Sequence, residues 1–303
     1  MFSYDTQYKN ILGEILYAGY ESKDRTGVGT MAIFDANLNV SLKSDSDRHV
    51  LALLGLRKVY PRSMWYELFW MLSGSTDATF LQDKNISIWD EHSSREFLDS
   101  RGLQHEPEGS IGRGYGTQFR DFNGVDQLKE LLIGLVENPS SRRHFISLWN
   151  PADLDKCALP PCHVSYNFMV TGDYLNLKFF QRSSDFVLAG NANFTFASFF
   201  LSWVAQKVGL RVGSVAHSIT NCHVYTNHLP VAAELLDRDV VNHTATFVMP
   251  DSGVRFTDRD SIERLLDYEI ELMKKDEYWA ALHDSLDYES HERIDPERLI
   301  IAI

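Results

Sequence analysis

Residues 163–210 read HVSYNFMVTGDYLNLKFFQRSSDFVLAGNANFTFASFFLSWVAQKVGL. HVSYNFMV and YLNLKFFQR are strand-like, and Thr171-Gly172-Asp173 between them has the composition of a hairpin turn. FTFASFFLSWVAQKVGL is too long for a strand and almost wholly apolar, so it predicts a helix at the centre of the core. A hairpin leading into a core helix favours an α+β fold. Upstream, HFISLWN (144–150) reads as a further strand. VDQLKELLIGLV (125–136) reads as an amphipathic helix ended by Asn138-Pro139. SMWYELFWMLSG (63–74) is too continuously apolar for a surface helix and predicts a buried one. MAIFDANLNVSL (31–42) alternates as a strand does. The opening YDTQYKNILGEILYAGY carries Tyr8, Ile11, Leu12, Ile15 and Leu16 at helical spacing. The polar, glycine-containing ESKDRTGVGT that follows is a loop. From about 255 to 290 the sequence is acidic and helical. No repeat or Gly/Ser linker divides residues 1–303, which predicts a single domain.

The composition fits that picture. Of 303 residues, 44% are hydrophobic and 23% charged, enough apolar side chains for a substantial core. Acids outnumber bases 42 to 29, a net charge of −13 that argues against broad nucleic-acid binding. A few clustered arginines can still hold a small anion. The three cysteines are widely spaced, so neither a disulfide framework nor a metal site is suggested. There is no signal-peptide pattern and no apolar run that reads as a membrane span, so a cytoplasmic location is expected.

Three groups of residues carry possible chemistry. A lone cysteine is usually a small buried hydrophobe, but Cys162 in ALPPCHVS follows two prolines and precedes His163 and a strand. A cysteine nucleophile needs a cationic setting, and Arg142, Arg143 and Arg182 are candidates to provide it; Cys157 and Cys222 read as structural. Arg25 in the glycine-rich loop, Arg142-Arg143 before a strand, and Arg182-Ser183 at the end of another would together suit a phosphate dianion. RTGVGT is not a Walker loop, because its lysine and spacing are missing. Polar residues in apolar surroundings form the third group. Glu67 lies inside SMWYELFWML, where burying a carboxylate costs several kcal/mol or forces protonation; a helix-end or partner-bound glutamate is the plainer reading. Of Asn191 and Asn193, one reads as the N-cap of the central helix and the other as an amide able to read a pyrimidine edge. His223 and Tyr225 alternate on one strand face and could grip a sugar hydroxyl. His228 reads equally as a hydrogen-bonded surface histidine.

Taken in order, DRTGVGT, ELFWMLSGST, ISIWDEHSSREFLDSRGL, YGTQFR, VDQL, NPSSRRHFISLWNPADLDKCALPPCH, QRSSD and HVYTNH resemble the thymidylate synthase family over nearly the whole chain. The resemblance implies an α+β fold whose large mixed sheet packs against helices and, back to back, against a second copy. It implies Cys162 as the nucleophile at carbon 6 of a pyrimidine. Arg25, Arg182 and Ser183 would hold the nucleotide phosphate, with Arg142 and Arg143 reaching in from the partner of a homodimer. His223 and Tyr225 would hold the 3′-hydroxyl and Asn193 the uracil edge. Glu67, with Tyr115 and ordered water, would manage protons, and His163 would support that network. Trp89, Asp185, Ile88, Arg57 and the tail residue Ile303 would contact 5,10-methylenetetrahydrofolate. The implied partners are dUMP and reduced folate, without DNA, membrane or metal.

The departures from the family pattern bear on the product. A GLPFN-like stretch is here Ala189, Gly190, Asn191, Ala192 and Asn193. Phe196 and Ala197 stand where Ser and Tyr are usual, Asn167 where glutamine is expected, and GRGYGTQFR replaces GPVYGxQWR. A loop before VDQL is largely missing. Ala192, Ala197 and Asn167 are expected to remove bulk or reach around the reacting ring and admit water. That favours 5-hydroxymethyl-dUMP (deoxyuridylate hydroxymethylase chemistry), with thymidylate synthase chemistry giving dTMP and dihydrofolate as the alternative. A dCMP or CMP hydroxymethylase and a catalytically dead nucleotide- or RNA-binding homologue complete the set. Retention of Trp89 and of the ending Ile301-Ala302-Ile303 speaks for methyl transfer.

Overall fold

The computed structural model describes residues 3–23 and 26–299. Arg25 and Ile303 lie outside them. Helix α1 (Tyr4–Ala18) begins where the Ser3 hydroxyl accepts from the Thr6 amide, and buries the Tyr8, Ile11, Leu12 and Ile15 stripe. Strands β1 (Tyr20–Ser22), β2 (Thr30–Ser41) and β3 (His49–Val50) follow. Helices α2 (Arg62–Leu72), α3 (Thr79–Asp83), α4 (Arg95–Ser100), α5 (Tyr115–Arg120) and α6 (Gln127–Glu137) come next. Asp126 caps α6 at its start, and Asn138 ends it before Pro139. Strand β4 (Phe145–Ser147) is shorter than HFISLWN suggested. Strands β5 (His163–Thr171) and β6 (Tyr174–Asp185) form the expected hairpin. Thr171 faces Tyr174, so its turn is two residues, and Gly172 takes the left-handed φ of 58° that such a turn requires.

A π-helical turn, Phe186–Gly190, opens into α7 (Asn191–Val208), which Gly209 terminates at φ 73°. Neither asparagine caps this helix: Gly190 stands at the cap position without a side-chain bond, and the Asp185 carboxylate accepts from the Leu188 amide instead. Strand β7 (Arg211–Tyr225) and helix α8 (Leu229–Asp237) follow, then β8 (Thr246–Phe247), α9 (Arg259–Met273) and α10 (Asp276–Ser285). The acidic stretch is thus two helices, with residues 255–258 and 286–290 outside them.

The main sheet runs β1-β2-β7-β6-β5-β4; β6 and β7 are parallel and every other pair is antiparallel. Because β6 and β7 are parallel, the chain crosses between them through α7. Alternation then splits the strands into two sets. Ala36, Leu38 and Val40, Tyr166 and Phe168, Leu175, Leu177 and Phe179, and Val215, His217 and Ile219 are buried against the helices. On the opposite set, Met169 is 54% and Phe145 51% exposed; the alternation of β2 breaks at Asp35 (φ 65°), and Phe34 beside it is 80% exposed. Residues 186–208 are long and apolar enough to cross a membrane, contrary to expectation, but 78% of that span's most apolar window is buried in this core. It is the core helix that its composition predicted. Trp65 of α2 and Trp279 of α10 stack with rings nearly parallel (5°), closing the core beyond Phe199.

At the C-terminal end of α7, Lys207 and Glu269 of α9 form an ion pair of 2.7 Å with neither side chain exposed. Ser252 is bonded to both residues, and the Tyr278 hydroxyl donates to Glu269. A buried pair needs such partners to offset its desolvation.

Candidate active site

The C-terminal ends of the parallel strands β6 and β7 open onto a cleft of about 710 Å³. Arg182, Ser183, Ser184 and Asp185 come from β6, His223 and Tyr225 from β7, and Ala189 and Asn193 from the turn and first turn of α7. Leu159, Pro160 and Cys162 form the wall supplied by the ALPPCH loop. Cross-strand register sets Ser183 beside Asn221 and Asp185 beside His223.

The backbone of the cysteine loop is held from two sides. Arg182 donates through Nε to the Pro161 carbonyl and through Nη2 to that of Pro160, both at 2.9 Å. Its Nη2 also lies 3.7 Å from Cys162 Sγ. A fixed guanidinium beside sulfur favours the thiolate. From the other side, the Tyr115 hydroxyl accepts from the Cys162 amide at 2.8 Å and, at 3.4 Å, from that of His163. Tyr115 can reach because α5 passes close to Ser75. A Cβ on Gly116 would sit 2.1 Å from the Ser75 carbonyl oxygen, which forbids any larger residue there. Burial pushes the Tyr115 phenol well above its ordinary range, so it stays protonated. The register of β5 shifts between His163 and Ser165, an irregularity that lets the strand begin at the loop.

Behind this wall lies a set of buried titratable groups. Glu67 sits within α2 and accepts from Trp89 Nε1 at 2.9 Å. Desolvation raises its carboxyl to about 7 and the indole bond only partly opposes this. Trp89 in turn packs edge-on against Tyr115 at 5.9 Å. His163 is buried, and burial pulls its imidazole down to about 4 despite the Asn193 side chain hydrogen-bonded to it. It is neutral at physiological pH. Its Nδ1 lies 2.5 Å from the Tyr166 hydroxyl. Asp185 is raised above the usual carboxylate range by burial, opposed by the Leu188 amide and by His223 and His228. His223 Nδ1 pairs with Asn221 Oδ1 at 2.8 Å, which leaves the neutral ring's lone pair on Nε2. The result is a cleft with a thiol and a guanidinium at one wall, an amide and a carboxylate at the other, and a near-neutral carboxyl behind.

The family model for thymidylate synthase matches residues 6–279, almost the whole chain. The chain belongs to the thymidylate synthase family. It is 39% identical over 236 residues to the thymidylate synthase of Equine herpesvirus 2, covering 74% of this chain and 80% of that protein. It is 37% identical over 249 residues to the thymidylate synthase of Ascaris suum, covering 78% and 82%. The bifunctional dihydrofolate reductase-thymidylate synthase of Paramecium tetraurelia is 36% identical over 247 residues, 77% of this chain and 52% of that one. The chain thus spans about half the length of the bifunctional relatives it matches.

Within this thymidylate synthase fold, Cys162, Arg182, Ser183, Asp185, Asn193, His223 and Tyr225 meet around the cleft, and Glu67, Tyr115 and His163 stand directly behind it. Other expected site residues fall elsewhere. Trp89 is buried and its indole N–H is committed to Glu67, so it does not line the cleft. Ile88 beside it is 42% exposed and also lies outside the lining. Arg57, expected at the folate, is buried beneath the π-helical turn, where Nη2 donates to the Val187 carbonyl at 2.8 Å. Arg142 and Arg143 are exposed and do not reach their own chain's cleft. His228 is not a surface residue: it is fully buried, 3.9 Å from Asp185. The argument for a water-admitting site also meets a correction. Asn167 lies on the strand set opposite Tyr166 and Phe168 and donates to the His144 carbonyl. Ala197 is fully buried, and neither it, Asn167 nor Ala192 lines the cleft.

Phe97, Ser100 and Arg101 from α4 and the residue after it were missed. They close one side of the cleft, and Arg101 Nε donates to the Ala158 carbonyl on the cysteine loop. The only signal was the stretch SREFLDSRGL within the family-like blocks, where Arg101 reads as an ordinary solvated helix end. Among the described residues no cluster of His, Cys, Asp or Glu could hold a metal ion.

Proposed function

We propose that the chain transfers a one-carbon unit from 5,10-methylenetetrahydrofolate to carbon 5 of dUMP and makes dTMP, the thymidylate synthase reaction. The observation that carries this is the convergence of Cys162, the Arg182 guanidinium and the Tyr115-held loop at one cleft wall. Cys162 as thiolate adds to carbon 6 of the uracil, and the electron pair moves through carbon 5 to the 4-keto oxygen. Asn193 donates to that oxygen and accepts from the ring N–H, stabilising the charge as it develops. Glu67, with its carboxyl near 7, holds or releases a proton behind the ring at neutral pH. Arg182 and Ser183 bind the phosphate, and His223 and Tyr225 the sugar. The folate, when bound, supplies the methylene and then the hydride. Asp185, half-buried on the cleft wall, suits the N–H donors of its pterin ring. The carbon 5 proton is lost to a base as the folate nitrogen departs. Hydride arrival at the exocyclic methylene pushes the electron pair that breaks the carbon 6–sulfur bond, expelling Cys162 as thiolate and releasing the nucleotide.

Methyl rather than hydroxymethyl transfer is supported by two points. The relatives from Equine herpesvirus 2 and Ascaris suum are named thymidylate synthase. The three positions that suggested water entry do not line the cleft. The test is mass spectrometry of the product from dUMP and methylenetetrahydrofolate, with dCMP and CMP in parallel. Stoichiometric dTMP and dihydrofolate support the proposal; 5-hydroxymethyl-dUMP with tetrahydrofolate, or a preference for a cytosine nucleotide, overturns it.

The working unit is proposed to be a homodimer built on the bare sheet face, with Arg142 and Arg143 serving the partner's phosphate. Support comes from the exposed Phe34, Met169 and Phe145 and from the distance of both arginines from their own cleft. Mixing an Arg142→Ala/Arg143→Ala protomer with a Cys162→Ala protomer should recover activity, because one of the two sites is then intact. No recovery despite subunit exchange would sink this arrangement.

A further inference from the structure

We infer that Arg57 is a positioning residue which sets the nucleotide-base side of the cleft from beneath, without touching substrate; this rests on the function proposed above. Two of the cleft's polar side chains, Asp185 and Asn193, flank the π-helical turn Phe186–Gly190. A π-turn is wide and rare, and its carbonyls need partners that an α-helical ladder does not provide. Side chains from two remote elements supply them. Tyr8 of α1 donates its hydroxyl to the Phe186 carbonyl at 2.9 Å. Arg57, in the segment before α2, donates through Nη2 to the Val187 carbonyl at 2.8 Å, with the Leu188 carbonyl and Asn191 Oδ1 at 3.5 Å. Arg57 and Asn191 are 9% and 2% exposed, so water does not substitute for these contacts. Asp185 closes the turn from the strand side by accepting from the Leu188 amide.

The geometry therefore ties one guanidinium to a turn carbonyl and to the first residue of α7, two residues before Asn193. Removing it releases the Val187 carbonyl and the Asn191 amide together. The turn then has an α-helical alternative that would rotate Asn193 about the axis of α7. The cost falls on base recognition first and on the Cys162 wall, held separately by Arg182 and Tyr115, last.

The experiment measures dissociation constants of dUMP and dCMP by calorimetry for wild type, Arg57→Met and Arg57→Lys, beside kcat and KM. The expected result for Arg57→Met is a roughly tenfold weaker dUMP affinity, the scale of one charged hydrogen bond, with a smaller loss for dCMP, so that discrimination falls. Arg57→Lys, which keeps one donor, should recover part of the discrimination. Unchanged dUMP affinity with a raised KM for folate alone would overturn the inference and return Arg57 to a direct folate contact. An equal loss for both nucleotides would also overturn it, as general destabilisation. If Arg57→Met does not fold, Tyr8→Phe removes the neighbouring turn bond and must show the same selective loss on a smaller scale; equal losses refute the inference. Because the readout is binding, absence of dTMP synthesis by wild type counts against the proposed reaction and leaves the Arg57 result standing.

Discussion

The two ends of α7 handle buried polarity in opposite ways. At its C-terminal end, Lys207 and Glu269 are fully buried, and Ser252 and Tyr278 take up bonds of the pair. At its N-terminal end, Asn191 Nδ2 and both polar atoms of nearby Gln181 are buried without a partner, as are both ring nitrogens of His217. Orphaned buried groups are rare because each costs about 1–3 kcal/mol. At the N-terminal end Gln181 lies opposite His163 on β5, and Asn191 stands two residues before Asn193 of the cleft wall. At the C-terminal end the ion pair itself is finished, although Gln206 Oε1 beside it is buried without a partner. The other end, with Asn191, Gln181 and His217 lacking partners, is by comparison unfinished.

The comparison can be broken in four ways. The largest effect is expected at the unfinished end's facing wall. Cys162→Ser should lower dTMP formation by several orders of magnitude while calorimetric dUMP affinity stays within a few-fold, because a hydroxyl is a far weaker nucleophile at neutral pH. Retained turnover would refute covalent catalysis. Next, Glu67→Gln should cost about 10²–10⁴ in kcat, the usual range for losing a positioned acid–base group. Its pH dependence has a definite sign. The folded carboxyl titrates at about 7, above its unfolded value near 4.5, so the folded state binds more protons between those values. Stability contributed by the protonated form is therefore present below the unfolded pKa and lost as pH rises through 7. Denaturant melts at pH 5 and pH 8 should show Glu67→Gln gaining on wild type at the higher pH.

At the finished end the effect should fall on stability instead. Lys207→Met leaves Glu269 buried without its counter-charge, with only Ser252 and Tyr278 to bond it, and should cost about 3–5 kcal/mol in urea unfolding. The double variant Lys207→Met/Glu269→Leu should recover most of it, and kcat per folded molecule should hardly change in either. If kcat falls in step with stability in the double variant, the two ends are not separate. The smallest effect is expected for Ala192→Phe. Since Ala192 lies outside the cleft lining, the ratio of methyl to hydroxymethyl product should not move, and a measurable shift by mass spectrometry would restore a role for that position.

Much of this was readable in the sequence because its signals were local. The hairpin at Thr171-Gly172-Asp173, the apolar run of α7 and the Asn138-Pro139 stop each depend on neighbours in sequence. So did the cysteine wall of the cleft, since Pro160, Pro161, Cys162 and His163 are contiguous. Arg57 was not readable. The resemblance set it at the folate, and only the arrival of the 186–190 turn from far along the chain buries it beneath that turn. The start of α7 was hidden for a related reason: a wide turn held by Tyr8 and Arg57 replaces the asparagine cap that the local pattern suggested. Asn167 shows the period-2 limit. Shifted one residue along its strand it would face His163 and the core; in place, it faces away.

The register of the main sheet also dictates when a nascent molecule first has anything to bind with. Thr30 lies opposite Tyr225, and β6 meets β7 only after α7 has been threaded between them. Both pairings are long-range and carry a large loop-closure entropy before any contact repays it. A ribosome-bound chain that has emerged only as far as β6 holds β1 and β2 as a hairpin with one long edge uncovered, and β5 and β6 as another. Such edges invite intermolecular pairing. Arg182 and Asp185 exist in that chain, but His223 and Tyr225 do not, so on the proposed function dUMP would not rescue it. Any protection by the proposed nucleotide would begin only when the fifteen residues of β7 slot between the two hairpins and complete the sheet.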